Sequence, residues 1–317
     1  MPSLIDLRRR IRSVKNTQQI TKAMKMVSAA KLRRAQERVV AARPYSGMLQ
    51  RLLANVAAAA SSGAQRAPSA PPDRPETPEL PLRTADPFCA YSSKENAASH
   101  PLLAVREEKR VLLILVTADG GLAGAFNGNL NKAAQMFLDD RKTLDVRMET
   151  VGRKGRDYFK RRNVSISGEH VGLSQKFTYA DAARIAGGVM ERYAAGAIDA
   201  VYVLYNEFKS VMTQKLTVTR ILPVPVPQSS APLDYIYEQP PAELLGTLLP
   251  RYVEVEVYRA MLESGAAEHA ARMTAMDAAS SNAAEVIDKL TLYMNRVRQA
   301  SITREIIEVV SGAAAQE

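Results

Sequence analysis

Residues 241–311 read PAELLGTLLPRYVEVEVYRAMLESGAAEHAARMTAMDAASSNAAEVIDKLTLYMNRVRQASITREIIEVVS, and this stretch decides the fold. Only Gly246, Pro250 and Gly265 break a helix-forming composition. Leu245, Leu248, Tyr252, Val255, Leu262, Ala266, Met273, Met276, Ala283, Ile287, Leu290, Met294 and Val297 recur at spacings of three, four and seven, which is one face of an α-helix. His269 falls on the same seam. At 1.5 Å per residue the helix spans about 105 Å, too long a seam to bury against a small domain. Its partner is expected to be a second long helix.

The other end of the chain supplies one. From Ser3 to about Ala60 the only interior glycine is Gly47 and the only interior proline Pro44. Apolar residues fall at Leu4, Leu7, Ile11 and Val14, resume at Ile20, Met24 and Val27, and continue at Leu32, Ala35, Val39 and Ala42. Gln18, Thr21 and Ser28 make the seam thin, so the helix needs a partner and a surrounding wall. Pro44 removes a backbone donor and is expected to kink or interrupt the helix. With one long helix at each end, the two most simply pair antiparallel.

Charge is concentrated in the first helix. Residues 1–51 hold thirteen basic side chains (Arg8, Arg9, Arg10, Arg12, Lys15, Lys22, Lys25, Lys31, Arg33, Arg34, Arg38, Arg43 and Arg51) against Asp6 and Glu37, whereas the whole chain carries a formal +10. The rest is therefore nearly neutral, and the first helix reads as a surface for an acidic partner.

Between the helices the texture changes twice. Gly63 to Glu107 holds eight prolines and reads as an extended insertion without a core, with Phe88 and Cys89 the only hints of packing. From Arg110 to Pro223, apolar runs alternate with amphipathic segments. Val111–Thr117, Val146–Val151, Ala200–Tyr205 and Leu216–Ile221 read as strands; Asn129–Arg141, Arg153–Arg162 and Tyr179–Ala195 read as helices. The fold class expected is α/β: a long antiparallel coiled coil of the terminal helices plus a small Rossmann-like α/β domain with a mostly parallel sheet. The organisation is 1–62 coiled-coil helix, 63–107 Pro-rich linker, 108–232 α/β domain and 233–317 coiled-coil helix.

Signals for chemistry are weak. One cysteine, Cys89, excludes an intramolecular disulfide and any CxxC motif, and His100, His170 and His269 are far apart in sequence, so neither a metal nor a cofactor is expected. The loop Asp119–Gly128 lies where a phosphate-binding turn would sit, but it lacks GxGxxG, and the chain has no GxxxxGK[ST] and no GxSxG. It reads as a structural turn, His269 as a packed or capping side chain, and the chain as no enzyme. The longest apolar run, Val111–Val116, is far short of the roughly 20 residues that cross a bilayer.

At the two termini, however, Asn16-Thr17-Gln18-Gln19-Ile20-Thr21-Lys22-Ala23-Met24-Lys25-Met26-Val27, Ala271-Arg272-Met273-Thr274-Ala275-Met276-Asp277-Ala278-Ala279, Arg298-Gln299-Ala300-Ser301-Ile302-Thr303-Arg304-Glu305 and Val309-Val310-Ser311-Gly312-Ala313-Ala314-Ala315 closely resemble the gamma-subunit family of F-type ATP synthases. Less tightly, Thr117-Ala118-Asp119-Gly120-Gly121-Leu122-Ala123-Gly124 is similar to that family's Thr-Asp-Arg/Lys-Gly-Leu-Cys-Gly stretch. The resemblance implies a non-catalytic rotor shaft that couples proton flow to ATP synthesis. Its partners would be the alpha and beta subunits of the head, epsilon and the membrane c-ring, with membrane association through the complex only and no nucleic acid. An acidic loop of beta would meet the basic helix.

By motif position, Lys22 and Met24 would lie in the N-terminal contact zone, Arg272 and Met276 near the acidic loop, and Gln299, Thr303 and Glu305 in the upper contact cluster. Asp234-Tyr235-Ile236-Tyr237-Glu238 resembles the foot facing epsilon and the ring. The alternative for each residue is ordinary coiled-coil packing or a solvated face. The uncharged tip Val309–Ala315 suits a shaft turning in a sleeve, where a buried lysine would face a desolvation cost at every angle.

Three features depart from the pattern: the long Pro-rich stretch, Ala123 in place of the family's cysteine, and Pro250, which predicts a bend. With Cys89 alone, the dithiol switch of chloroplast members is absent. An N-terminus entering helix without an Arg- and Ser-rich leader suggests the cytoplasmic face of a bacterial inner membrane. Two rival readings remain: a basic helical nucleic-acid-binding or scaffold protein, resting on the charged helix, and a dinucleotide-dependent enzyme, resting on the α/β domain.

Overall fold

The computed structural model describes residues 3–63, 100–175, 177–225 and 239–314. Two helices dominate it: α1, Leu4–Gly63, of 60 residues, and α5, Pro241–Ala314, of 74 residues. Ser3 starts α1, its Oγ accepting from the Asp6 amide at 3.2 Å in the manner of an N-cap. The interruption expected at Pro44 does not occur, and α5 likewise continues through Pro250. Pro44 lies on the solvent side, so water can satisfy the carbonyl one turn back that loses its donor.

The helices pair antiparallel: Gln18 meets Ser280, Lys25 meets Asp277 and Arg43 meets Glu263. The inward side of α1 keeps a heptad spacing through Leu7, Ile11, Thr21, Ser28, Leu32, Val39, Ser46, Leu49, Leu53 and Val56, all buried. One expectation needs correcting here. Ile20 and Val27 are exposed, whereas Gln18, Thr21 and Ser28 keep the seam places read for them, because the sustained 3/4 register outranks the hydrophobicity of single residues in setting which face meets the partner.

Between the helices lies a five-stranded sheet in the order β3-β2-β1-β4-β5, with β1 Arg110–Val116, β2 Asp145–Val151, β3 Ile166–His170, β4 Ala200–Phe208 and β5 Gln214–Leu222. The first four strands are parallel and β5 runs antiparallel to β4. Helices α2 (Phe126–Asp140), α3 (Arg153–Lys160) and α4 (Tyr179–Ala194) complete the domain. β3 has no apolar run, only half-buried Ile166, Gly168 and His170 alternating with exposed Ser167 and Glu169, and the search for apolar strands passes over it.

Central strand β1 is buried on both faces. Val111, Leu113 and Leu115 pack with Phe126, Leu130, Phe137 and Phe159 on the α2 and α3 side. Leu112, Ile114 and Val116 face α4 and α5, with Ile185, Val189, Leu249, Val253 and Met261. Residues 260–268 of α5 are accordingly buried on every side. The middle of α5 is therefore walled by both α1 and the sheet domain, where α1 alone was the expected partner.

Most of the Pro-rich stretch, with Phe88 and Cys89, lies outside the described residues. Its last part is docked, contrary to a reading as linker: Pro101–Leu103 form one 3-10 turn, Leu102 is buried, and its carbonyl accepts from Val224 N at 3.2 Å. Tyr193 donates its hydroxyl to Ala104 O at 2.6 Å and stacks under Arg106.

Candidate functional site

Toward the far end of the rod α1 and α5 pair with each other. Their seam there is polar around Thr21 and Ser280, with Leu7 and Ile11 buried nearer the start of α1. Thr21 and Ser280 hydroxyls meet at 2.8 Å, Gln18 Nε2 donates to Ser280 O at 3.3 Å, and an exposed Lys25–Asp277 pair closes at 2.6 Å. Such a pair contributes about 1 kcal/mol or less, so this stretch of the rod gains little from it. Meanwhile large apolar side chains stay outside: Ile5, Ile20, Met26 and Val27 on α1, Leu292, Ile302, Ile306, Ile307, Val309 and Val310 on α5. Scattered apolar residues are ordinary, but a run on both helices of one rod marks a surface that a partner covers.

The start of α1 packs beside Tyr293, Val297 and Arg304, where Leu4, Ile5 and Arg8 line a shared groove. Every side chain from Ile302 to Ser311 is exposed. Basic residues Arg8, Arg9, Arg10, Arg12, Lys15 and Lys22 are exposed on α1. Surface apolar area, positive charge and an uncharged tip thus share one end of the rod.

The residues singled out from the sequence fall into three groups. Lys22, Gln299, Thr303 and Glu305 are exposed and Met24 half-buried on the rod; Thr303 Oγ1 bonds back to Gln299 O, and Glu305 accepts from Ser301. Met276 is only 5% exposed, held inside the helix pair, and Arg272 points into the chain, its Nη2 2.5 Å from Glu268 and its Nε 3.2 Å from Gly121 O. Both side chains are spent on the chain's own packing, which motif position could not reveal. Asp234, Tyr235, Tyr237 and Glu238 lie outside the described residues.

The α/β domain offers a second place to look. In doubly wound sheets the ligand crevice opens at the carboxyl ends of the strands where the strand order reverses, here between β1 and β4. That crevice is filled by α5. Ser264 Oγ donates to Val116 O at the end of β1 at 3.2 Å, and Arg272 reaches the loop that follows. From α1, Arg43 Nη2 donates to Phe208 O at the end of β4 at 2.6 Å. Arg43 was named only among the basic residues of the first helix, and Glu263 and Ser264 not at all; none of the three falls on the seams read from the sequence.

The Asp119 loop is a structural turn. Its carboxylate accepts from Arg153 N at 2.9 Å, Gly172 N and Ser174 N at 3.1 Å, and Ser174 Oγ at 2.7 Å. An acidic side chain thus occupies backbone donors that an incoming phosphate would need. Burial opposes the charge, but the bonds from Ser174, Gly172 and Arg153 outweigh it and hold this carboxyl below its ordinary range.

Two further groups removed from water in part or in whole are accounted for internally. Burial, seconded by the Arg272 and Lys31 charges, lowers His269 to about 4, so the imidazole is neutral. Glu149 is desolvated, yet His170 at 2.7 Å and Arg192 at 2.6 Å hold it below the usual carboxylate value. Among the described residues no group of three or more His, Cys, Asp or Glu could hold a metal, and no helix is long and apolar enough to cross a membrane.

A family model described as ATP synthase matches residues 3–316. An ATP synthase gamma chain of Solibacter usitatus is 59% identical over 317 residues, the whole of both chains, and one of Pelotomaculum thermopropionicum is 46% identical over 320 residues, again end to end. Among solved structures, a chain of the Euglena gracilis mitochondrial ATP synthase (OSCP/F1/c-ring) superposes with a TM-score of 0.62 at 18% identity, covering 99% of this chain and 94% of that one. A chain from the central stalk and c-ring of the Tetrahymena thermophila mitochondrial enzyme gives 0.58 at 24% identity, covering 82% and 99%. At those identities the likeness shows the fold.

Proposed function

The chain belongs to the ATP synthase gamma chain family, and from that premise we propose that it is the central-stalk rotor of an F-type ATP synthase. It turns with the membrane ring and drives the catalytic subunits of the head through successive conformations, the catalytic sites lying on those other chains. The observation that carries this reading is the distal half of the rod: a seam that is partly polar inside, exposed apolar side chains on both helices and exposed basic side chains on α1. A rod built this way does no chemistry, but it presents a different face in each direction. Each orientation stabilises a different state of the surrounding subunits, and differential contact is all that coupling requires.

On this reading Lys22, Met24, Gln299, Thr303 and Glu305 meet the alpha and beta subunits, and the exposed cations of α1 meet an acidic segment of beta. Such contacts are soft and screened, so they can re-form at each stop of a rotation. Asp234, Tyr235, Tyr237 and Glu238 would face epsilon and the c-ring, placing the chain on the cytoplasmic side of a bacterial inner membrane through the complex.

Native mass spectrometry of the assembly recovered by tagging this chain and solubilising membranes gently tests the proposal. One copy of the chain with three alpha and three beta subunits is the expected result. Recovery of the chain alone or with nucleic acid would overturn the proposal and return the basic helix to a binding arm.

A further inference from the structure

The sheet domain grips both long helices through three backbone carbonyls at one end of its strands. Arg43 of α1 reaches Phe208 O at 2.6 Å; Ser264 and Arg272 of α5 reach Val116 O and Gly121 O, each at 3.2 Å. Each arginine is steadied by a buried carboxylate of α5: Glu263, 1% exposed, lies 3.3 Å from Arg43 Nε, and Glu268, 5% exposed, lies 2.5 Å from Arg272 Nη2. Gly120 is so close that a Cβ there would stand 3.3 Å from Arg272 Nη2. Ser264 is 2% exposed, so its bond is shielded from water.

Resting on the rotor reading, we propose that this set is the torque-bearing joint of the chain, and that Arg43, Ser264 and Arg272 are positioning residues for coupling. Apolar packing is non-directional; a helix held by it alone can creep about its axis at little cost. Hydrogen bonds carry distance and angle requirements, and those from a guanidinium are the stronger kind. A grip on one helix would let the other wind around it. Here α1 is held by one such bond and α5 by two, to the ends and following loop of adjacent central strands, and Tyr179 of α4 also bonds Glu254 and Arg251 of α5. Twist applied to the domain therefore reaches the rod without slip.

The test uses the assembled complex with the double variant Arg43→Met and Arg272→Met. Two quantities are read: torsional stiffness, from the angular fluctuations of a probe on the ring with the head fixed, and protons pumped per ATP hydrolysed. The proposal expects a softer shaft and a severalfold lower pumping ratio, beyond any fall in melting temperature caused by taking an arginine partner from each of the buried Glu263 and Glu268 carboxylates, while hydrolysis by uncoupled enzyme holds. Arg43→Lys, which keeps a cationic donor, should recover most of the stiffness.

Wild-type stiffness and pumping in the double variant would overturn the joint. So would losses that track the melting temperature and are not recovered by lysine. If the double variant does not assemble, Ser264→Ala, which keeps the packing, is read the same way, and unchanged stiffness there overturns the proposal. A purified wild-type complex lacking the alpha and beta subunits would sink the rotor reading instead, and is checked first.

Discussion

Replacing Asp119 by alanine removes one carboxylate and strands four donors at once: Arg153 N, Gly172 N, Ser174 N and Ser174 Oγ, now at 2.7 to 3.1 Å. A hydrogen bond to a charged group contributes about 1.5–3 kcal/mol, but the four are not additive, and the half-exposed site lets water replace part of what is lost. A loss of about 2–4 kcal/mol is therefore expected. The chain has no tryptophan, and the two long helices dominate its helical signal, so denaturant unfolding is best followed by amide exchange of the full chain. The amides of Arg153, Gly172 and Ser174 should lose protection first. The sign with pH follows from the direction of the shift: a carboxyl held below its ordinary value stabilises fully above that value and loses the contribution as pH falls through the folded value. The gap between wild type and Asp119→Ala should thus close in acid, below about pH 4. Unchanged protection at Gly172 and Ser174 in the variant, or a gap that widens in acid, would refute the account of this loop as a carboxylate-stitched turn.

Three other outcomes follow from the same structure. Gly152 sits at φ 105°, and an added Cβ would stand 2.2 Å from Thr117 O; Gly152→Ala should cost about 3–5 kcal/mol from backbone strain and overpacking together, seen as a lower denaturant midpoint. His269 takes its proton near pH 4 when folded and near its ordinary 6.5 when unfolded, so stability should fall by roughly 2–3 kcal/mol as pH drops between those values and then level off. His269→Gln should flatten that stretch of the stability–pH curve. Truncation after Arg304 removes side chains that are exposed from Glu305 to Ser311; the chain's own melting temperature should hold while proton-driven ATP synthesis in membranes falls, and unimpaired synthesis would count against the shaft role.

Local pattern is legible without a structure, and it accounts for a good deal here. The long 3/4 repeats at both ends specified two helices, and the lack of alternation in Val111–Val116 specified a buried parallel strand. Four of the five strands and all three shorter helices follow from such runs, with boundaries shifted by a few residues. β3 escaped because an edge strand half open to water needs no apolar run. Thr117-Ala118-Asp119-Gly120-Gly121 could be read as a turn from its glycines, but not that Asp119 bonds to Ser174, 55 positions away.

The candidate site divides along the same line. Exposure of Lys22, Gln299, Thr303 and Glu305 agrees with their polar character, whereas burial of Met276 and engagement of Arg272 depend on what else packs there. By itself the sequence determined the rod, the basic face, the uncharged tip and the sheet class, since each rests on periodicity or composition within one segment. Only the tertiary structure decided that α5 fills the crevice of the sheet, that Ile20 and Val27 fall outside the seam, and that Arg43 reaches Phe208, 165 positions on. Those contacts join segments whose separation in the chain leaves no periodic trace; they exist because closing the chain on itself brings particular backbone carbonyls within reach of particular donors.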